Sequence, residues 1–374
     1  MLADAPPAPA AIVAFEGERL TRARAWGVAD RRTGRATRAR DPVRVASISK
    51  LAVALGVMRL VEAGKLDLDA DVATYLGWRP RNPAFPERAV TLRQLLSHTS
   101  GVRDAAGYVL PLDADLEAQM AHPAAWDATH GAGYFAYANL NFALIAAAME
   151  GATGERFDRL MARLVFRPLR IDACFNWTSC SPAKIARAVV LYRANGSVAR
   201  DDDAGRGCPG TPARDGLCDL ARYRLARNGA FFSPQGGMRI DMVALAKLGQ
   251  ALIRPGLLGR ASLAAITRPA WRFDGANGET EGGLYCGYGL GVMLLALPGR
   301  PAACADDPFG AGRPRIGHAG EAYGLRSGLW VDPATRRGVA FYVTAVADDA
   351  PKGRSAFTQA EEAMIAWDAH ESSP

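Results

Sequence analysis

Ser47-Ile48-Ser49-Lys50 sets a hydroxyl and an amine three residues apart, directly before an apolar run, Leu51 to Val61, that reads as a helix. Residues three apart share a helix face, so Ser47 and Lys50 would form a nucleophile and base pair. A serine hydroxyl is a weak nucleophile at neutral pH, and a neighbour must take its proton as it attacks an acyl carbon. Lys50 can do so if burial and a nearby positive charge lower its pKa. Thirteen serines and five lysines in 374 residues give roughly 0.17 such spacings by composition alone. The pair by itself is therefore weak, and a helix cap beside a solvated surface lysine is the plain alternative.

Two further groups follow in order: Tyr137-Ala138-Asn139 inside YFAYANLNFALIAAAME, and His318-Ala319-Gly320 inside RIGHAGEAYGLRSGLWVDP. With TLRQLLSHTSGV (Thr91 to Val102) and SPQGGMRIDMVALAKL (Ser233 to Leu248), this ordered set resembles the serine β-lactamase and penicillin-binding protein superfamily. The likeness is to its class C β-lactamase, D-alanyl-D-alanine peptidase and family VIII esterase branch, and it takes in most of the chain. It implies an α/β protein of β-lactamase-like (DD-peptidase-like) fold, an antiparallel sheet flanked by helices plus a mainly helical domain. It also implies a serine hydrolase that forms a Ser47 acyl-enzyme on a peptide, amide, ester or β-lactam.

Residue by residue, the resemblance gives Tyr137 a share in the proton network of Ser47 and Lys50. Asn139 would hydrogen-bond the lysine or the substrate amide. The backbone N–H groups of Ser47 and Glu321 would meet the oxyanion, although an acid at 321 departs from the class C pattern and must point away or be neutralised. His318, Ala319 and Gly320 would lie on the strand lining the cleft, with Gly320 letting substrate backbone approach. Relatives that bind carboxylates often place a lysine and a hydroxyl there. A histidine is at most partly charged at neutral pH and alanine donates nothing, so carboxylate recognition is weakened unless Arg326 compensates. D-amino-acid peptidase or penicillin-binding activity and esterase activity thus rank above a genuine β-lactamase. A non-catalytic sensor that acylates and stalls is the alternative from another class.

Other motifs bear less chemistry. Ser49 registers as structural. His98, in Leu95-Leu96-Ser97-His98-Thr99-Ser100-Gly101, reads as a helix end and turn, and Gly236-Gly237 as a tight backbone approach or the start of a helix. No Gly-x-Ser-x-Gly pentapeptide occurs, against an α/β-hydrolase elbow. No Cys-x-x-Cys or His-x-x-x-His spacing occurs, so zinc is not expected, and no cofactor is implied.

Composition bounds the rest. With 49% hydrophobic residues, the chain can bury a large core. The net charge is +7, but 40 of the 45 basic residues are Arg scattered among acids, without aromatic interleaving, which disfavours nucleic acid as a partner. A small molecule or short peptide is the expected substrate, and the oligomeric state is not readable. No apolar stretch is long enough to span a bilayer, and the opening segment lacks the pattern of a signal peptide, so any export signal is presumed already removed. Six cysteines permit fifteen connectivities. Sequential pairing, Cys174 with Cys180, Cys208 with Cys218 and Cys286 with Cys304, closes three short loops at least entropic cost. That favours a periplasmic or secreted protein; six reduced thiols in a cytosolic one is the competing reading.

Along the chain, Ala11 to Phe15 and Arg22 to Ala29 read as a hairpin, and the nucleophile helix should stop at Gly64. Amphipathic runs occur at Leu92 to Leu96, Leu140 to Met149 and Met242 to Ile253. The stretch Pro182 to Arg227, with Asp201-Asp202-Asp203, reads as a surface excursion shaping the cleft rim. Strand signals return at Gly289 to Leu295, Gly328 to Asp332 and Val339 to Val346, and Phe357 to Ala369 reads as a helix. These signals suggest an α/β domain from both termini, 1–66 and 286–374, and a mainly helical domain, 67–285.

Overall fold

The computed structural model describes residues 8–177, 180–199 and 208–370. Asp201-Asp202-Asp203 lies outside the described residues.

The chain opens with β1 (Ala10–Glu16) and β2 (Arg19–Trp26), followed by the short strands β3 (Val28–Asp30), β4 (Arg35–Ala36) and β5 (Val43–Arg44). A single 3₁₀ turn, Ala46–Ile48, leads into α1 (Ser49–Glu62). Helices α2 (Ala73–Leu76), α3 (Leu92–Leu96), α4 (Leu116–Met120), α5 (Leu140–Thr153) and α6 (Phe157–Met161) come next, then β6 (Cys174–Phe175), α7 (Pro182–Ile185) and β7 (Met238–Ile240). The last part holds α8 (Met242–Leu252), α9 (Arg260–Thr267), β8 (Trp271–Arg272), β9 (Gly287–Tyr288), β10 (Met293–Leu295), β11 (Arg315–Ala322), β12 (Leu325–Asp332), β13 (Arg337–Val343) and α10 (Gln359–His370).

Eight strands form one antiparallel sheet in the order β2-β1-β13-β12-β11-β10-β9-β8. The two ends of the chain meet in this sheet as the neighbouring strands β1 and β13, with Ala10 opposite Val343 and Glu16 opposite Arg337. Alternate residues of a strand face opposite sides, and both sides of this sheet are covered. Ala11, Val13 and Phe15 of β1 join the core beneath α8, whereas Ala10 and Ile12 join a second apolar layer with Met364 and Ile365 of α10. Fully burying side chains such as Phe15 or Ile12 contributes roughly 1.5–3 kcal/mol each, which is why β1 reads as an unbroken apolar run.

Helix α5 is apolar all round and buried from Leu140 to Glu150. The amphipathic reading of this run is corrected: α5 packs against α1, α2, α3 and α6, so no face is left for solvent. Its one buried carboxylate, Glu150, accepts hydrogen bonds from Phe157 N, Ala226 N and the Tyr223 hydroxyl. Helix α8 packs on β1, β12 and β13, and β8 pairs with β9.

Only Met293–Leu295 of the run Gly289 to Leu295 is strand, because β9 ends at Tyr288. Gly289 to Val292 form the turn between β9 and β10, in which Gly289 N donates to Val292 O and Gly291 has φ +69°. A Cβ on Gly291 would lie 2.7 Å from Ala54 Cβ and 3.0 Å from Lys50 O, so this turn packs directly on α1. A further sheet, β5-β7-β6, has strands too short for a periodic signal in sequence.

The three sequential disulfides form as expected, with Cα separations of 5.3, 5.4 and 5.9 Å, and no described cysteine is free. No helix among the described residues is long and apolar enough to cross a membrane. Non-reducing peptide mapping of protein from its native compartment is expected to recover these three pairs. Six alkylatable thiols would contradict the pairing.

Candidate active site

Ser47 stands at the joint between β5 and α1. Ala46 adopts φ +47°, a conformation that costs a non-glycine residue about 1–3 kcal/mol and is held only where its surroundings over-determine it. The restraints are visible. Val45 N donates to Met238 O, the Ser327 hydroxyl donates to Val45 O at 3.0 Å, and the Ser49 hydroxyl donates to Ala46 O at 2.6 Å. Ser49 Oγ also accepts from Met238 N at 3.0 Å and is buried. Ser49 thus spends its hydroxyl on backbone, while Ser47 is half-buried and lines a cavity of about 670 Å³.

Lys50 is completely buried, with Nζ 3.0 Å from Ser47 Oγ, 2.8 Å from Asn139 Oδ1 and 2.9 Å from Gln235 O. Burial pushes its amine down to about 7, and the Asp104 carboxylate opposes part of that fall. The three oxygens can accept all three N–H groups of the protonated form, and the neutral form is accommodated too. Asn139 Oδ1 and Gln235 O can only accept, so they take the two hydrogens of a neutral amine and turn its lone pair toward Ser47. Gln235 O is presented by a turn in which Gly236 N and Gly237 N both donate to Ser233 O. At Gly237 a Cβ would meet Asn176 Oδ1 at 2.7 Å, so the tight approach belongs to this glycine, and β7 then leads into α8.

The Tyr137 ring is sandwiched between His98 at 4.3 Å and Tyr285 at 4.9 Å, and Lys50 Nζ lies 4.8 Å from its centroid. Burial pushes the phenol well up, and its interaction with Ser47 offsets this only in part. The phenol therefore keeps its proton at neutral pH while the lysine is poised to lose one. His98 ends the turn after α3 at φ +57°, and its Nδ1 accepts from Ala138 N and Asn141 Nδ2, both at 3.1 Å. It holds the backbone beside Tyr137, in keeping with a helix-end and turn residue.

The strand triplet departs from expectation. His318 is buried, not in the cleft: Nδ1 donates to Ala319 O at 2.5 Å, which leaves Nε2 to accept from the Tyr288 hydroxyl at 2.8 Å. Burial and the nearby Lys50 push its imidazole down to about 3, so it is neutral and supports the aromatic layer behind Tyr137. Gly320 is needed for the protein's own backbone rather than for substrate, since a Cβ there would lie 2.3 Å from Val45 O. Ala319 packs on the apolar layer of α10 and does not line the cavity. Arg326 is buried, pairs with Glu321 and faces Glu361 and Asp348, so it does not reach the cleft as a carboxylate anchor. Glu321 lines the cavity, its charge compensated by Arg326. The β10–β11 ladder stops at Gly317, and the rest of β11 runs beside the turn that carries Ser47.

Several residues escaped the sequence reading. Asp104 accepts from Asn139 N, Asn139 Nδ2 and Leu140 N at 2.8–2.9 Å. Arg44 and Arg239, paired across β5 and β7, line the cavity, with Arg239 over the Trp177 ring. None lies in a periodic or recognisable pattern; they meet only through loop and short-strand packing.

A family model described as Beta-lactamase matches residues 8–363. Esterase EstB of Burkholderia gladioli is 32% identical over 326 residues, 83% of this chain and 78% of that protein. Putative penicillin-binding protein PbpX of Bacillus subtilis is 28% identical over 166 residues, 42% of this chain and 38% of that protein. The D-amino acid amidase from Ochrobactrum anthropi SV3, solved with L-phenylalanine amide, superposes with a TM-score of 0.69 at 18% identity, covering 98% of this chain and 94% of that one. This last is a likeness of fold.

Two outcomes are expected from the geometry. The kcat/KM of a neutral ester should rise with pH through about 7, as Lys50 loses its proton, and then level off; a limb near the ordinary lysine value of 10.5 would contradict the poised amine. Gly320→Ala should cost about 1–3 kcal/mol of stability through overpacking against Val45, read as a lower Tm, with turnover reduced because Ser47 is displaced.

Proposed function

The chain belongs to the Beta-lactamase family and is a serine hydrolase, and on that premise we propose that Ser47 is the nucleophile of an acyl-enzyme mechanism. The observation that supports this most directly is the buried Lys50 amine, pinned by two carbonyl oxygens with Nζ 3.0 Å from Ser47 Oγ. As Ser47 Oγ bonds to the acyl carbon, its proton passes to Lys50 Nζ, and the carbonyl oxygen takes negative charge toward the N–H groups of Ser47 and Glu321. The leaving group departs with a proton delivered through Tyr137, which is replenished from Lys50. Water then attacks the ester of Ser47 by the same route in reverse, releasing the acid and restoring the hydroxyl.

The substrate class we favour is a carboxylic ester of modest size. With His318 neutral and buried, and Arg326 engaged by acids, the strand triplet offers no cation to a substrate carboxylate, which ranks β-lactam turnover below ester turnover. A second reading, cleavage of D-amino-acid amides or peptides, is favoured by Glu321. Its side chain is 64% exposed and lines the cavity, where a substrate ammonium would share the carboxylate with Arg326. The disulfides support a periplasmic or secreted location.

Intact-mass analysis after a fluorophosphonate tests the assignment. Ser47→Ala should abolish labelling and Ser49→Ala should retain it. Lys50→Ala and Tyr137→Phe should each lower p-nitrophenyl ester turnover by about 10²-fold to 10⁴-fold, with the double variant falling short of the product. Labelling of the Ser47 variant sinks the nucleophile assignment, and a single stoichiometric burst without turnover favours the sensor alternative.

A further inference from the structure

We propose that Asp104 is a positioning residue of this site, fixing the Asn139 amide so that its oxygen, and not its nitrogen, faces Lys50. The inference rests on the acyl-enzyme reading above and concerns a residue that reading does not use. Asp104 sits in the loop after α3, half-buried, six residues beyond His98. Its Oδ1 accepts from Leu140 N at 2.9 Å, and its Oδ2 accepts from Asn139 N at 2.8 Å and Asn139 Nδ2 at 2.9 Å. Two of these bonds satisfy backbone donors at the start of α5. The third does more than cap the helix.

An asparagine amide is nearly symmetric in shape and can sit either way round. A carboxylate accepts only, so the Asn139 NH₂ must face Asp104, and Oδ1 is thereby committed to Lys50 at 2.8 Å. Were the amide reversed, its NH₂ would donate to the lone pair of the neutral amine and take it from Ser47. The carboxylate thus decides, through one side chain, whether the base is aimed at the nucleophile. It also sits one amide away from a fully buried amine, where its charge favours the protonated form. The other titratable groups around Lys50 are Tyr137, His98 from the turn after α3, and His318 from β11. The phenol is held protonated, and burial and Lys50 itself hold both imidazoles neutral. Asp104 is therefore the carboxylate whose charge bears on Lys50, while Glu281 bears on Tyr137.

The test is Asp104→Asn, assayed as kcat/KM against pH with a neutral p-nitrophenyl ester and normalised to active sites titrated by fluorophosphonate. Asparagine keeps the size but offers one acceptor oxygen to three donors, and it has no charge. A tenfold to hundredfold fall in kcat/KM is expected, mostly in kcat, with the acid limb moved to lower pH because Lys50 loses the charge that held its proton. Combining it with Asn139→Ala should add little further loss, since both act through the same amide. Asp241→Ala, which removes the cap that accepts from Ala244 N at the start of α8, is the control and should lower Tm without moving the limb. A purely structural cap predicts that Asp104→Asn behaves like this control, and that result overturns the proposal. If Asp104→Asn does not fold, Asp104→Ser, which keeps one capping oxygen without the charge, is read the same way. Fluorophosphonate labelling of Ser47→Ala would show instead that the nucleophile assignment fails, whatever Asp104 does.

Discussion

A lysine amine fully withdrawn from water is the constraint on which the rest of this structure depends. An isolated ammonium in an apolar interior is costly enough that the group sheds its proton instead. Here the shedding is tuned. Three oxygens surround Nζ and one carboxylate stands beyond them, which keeps the amine near the midpoint of its titration at neutral pH. Each oxygen comes from a different part of the fold: the start of α1, the start of α5, and the turn before β7. The β9–β10 turn presses on the same helix at Gly291. Moving any of these elements changes the solvation of one atom, and through it the basicity available to Ser47.

The aromatic layer behind the site obeys the same logic. Tyr137 can pass a proton only if its hydroxyl stays beside Ser47, and two stacked rings hold it there. His98 and His318 contribute as neutral, fixed donors and acceptors, not as acids or bases. The second is locked between Ala319 O and Tyr288. The triplet here confers packing, and Gly320 brings β11 close enough to brace the backbone of the turn before Ser47.

The cleft itself is assembled from the least regular parts of the chain. The β5-β7-β6 sheet is only two or three residues wide along each strand, yet it pairs Arg44 with Arg239 and positions the turn that presents Gln235 O. Cys174 pairs with Cys180 at one end of this sheet, and the Cys208–Cys218 loop lines another wall of the cavity. Crosslinks suit such segments, because short strands and loops bury too little apolar surface to hold one geometry by packing alone.

Much of this was legible in the sequence, for identifiable reasons. Ser47 and Lys50 are linked by helical spacing, the Leu51 to Val61 run has the composition of a helix, and the strands at both ends carry strong apolar signals; these are local properties that the chain states directly. The order of the motifs named the family, and sequential cysteines had the least entropy to lose. What only the tertiary structure decided depends on contacts between residues far apart. The burial of His318, the engagement of Arg326 by Glu321, the complete enclosure of α5 and the packing of α8 on the sheet all follow from which surfaces meet. So does Asp104, whose carboxylate has no meaning until the loop after α3 folds onto the first turn of α5, 35 residues later. Sequence spacing fixes which side chains can share a helix face; the dielectric around them, and therefore their charge, is set by what packs on top.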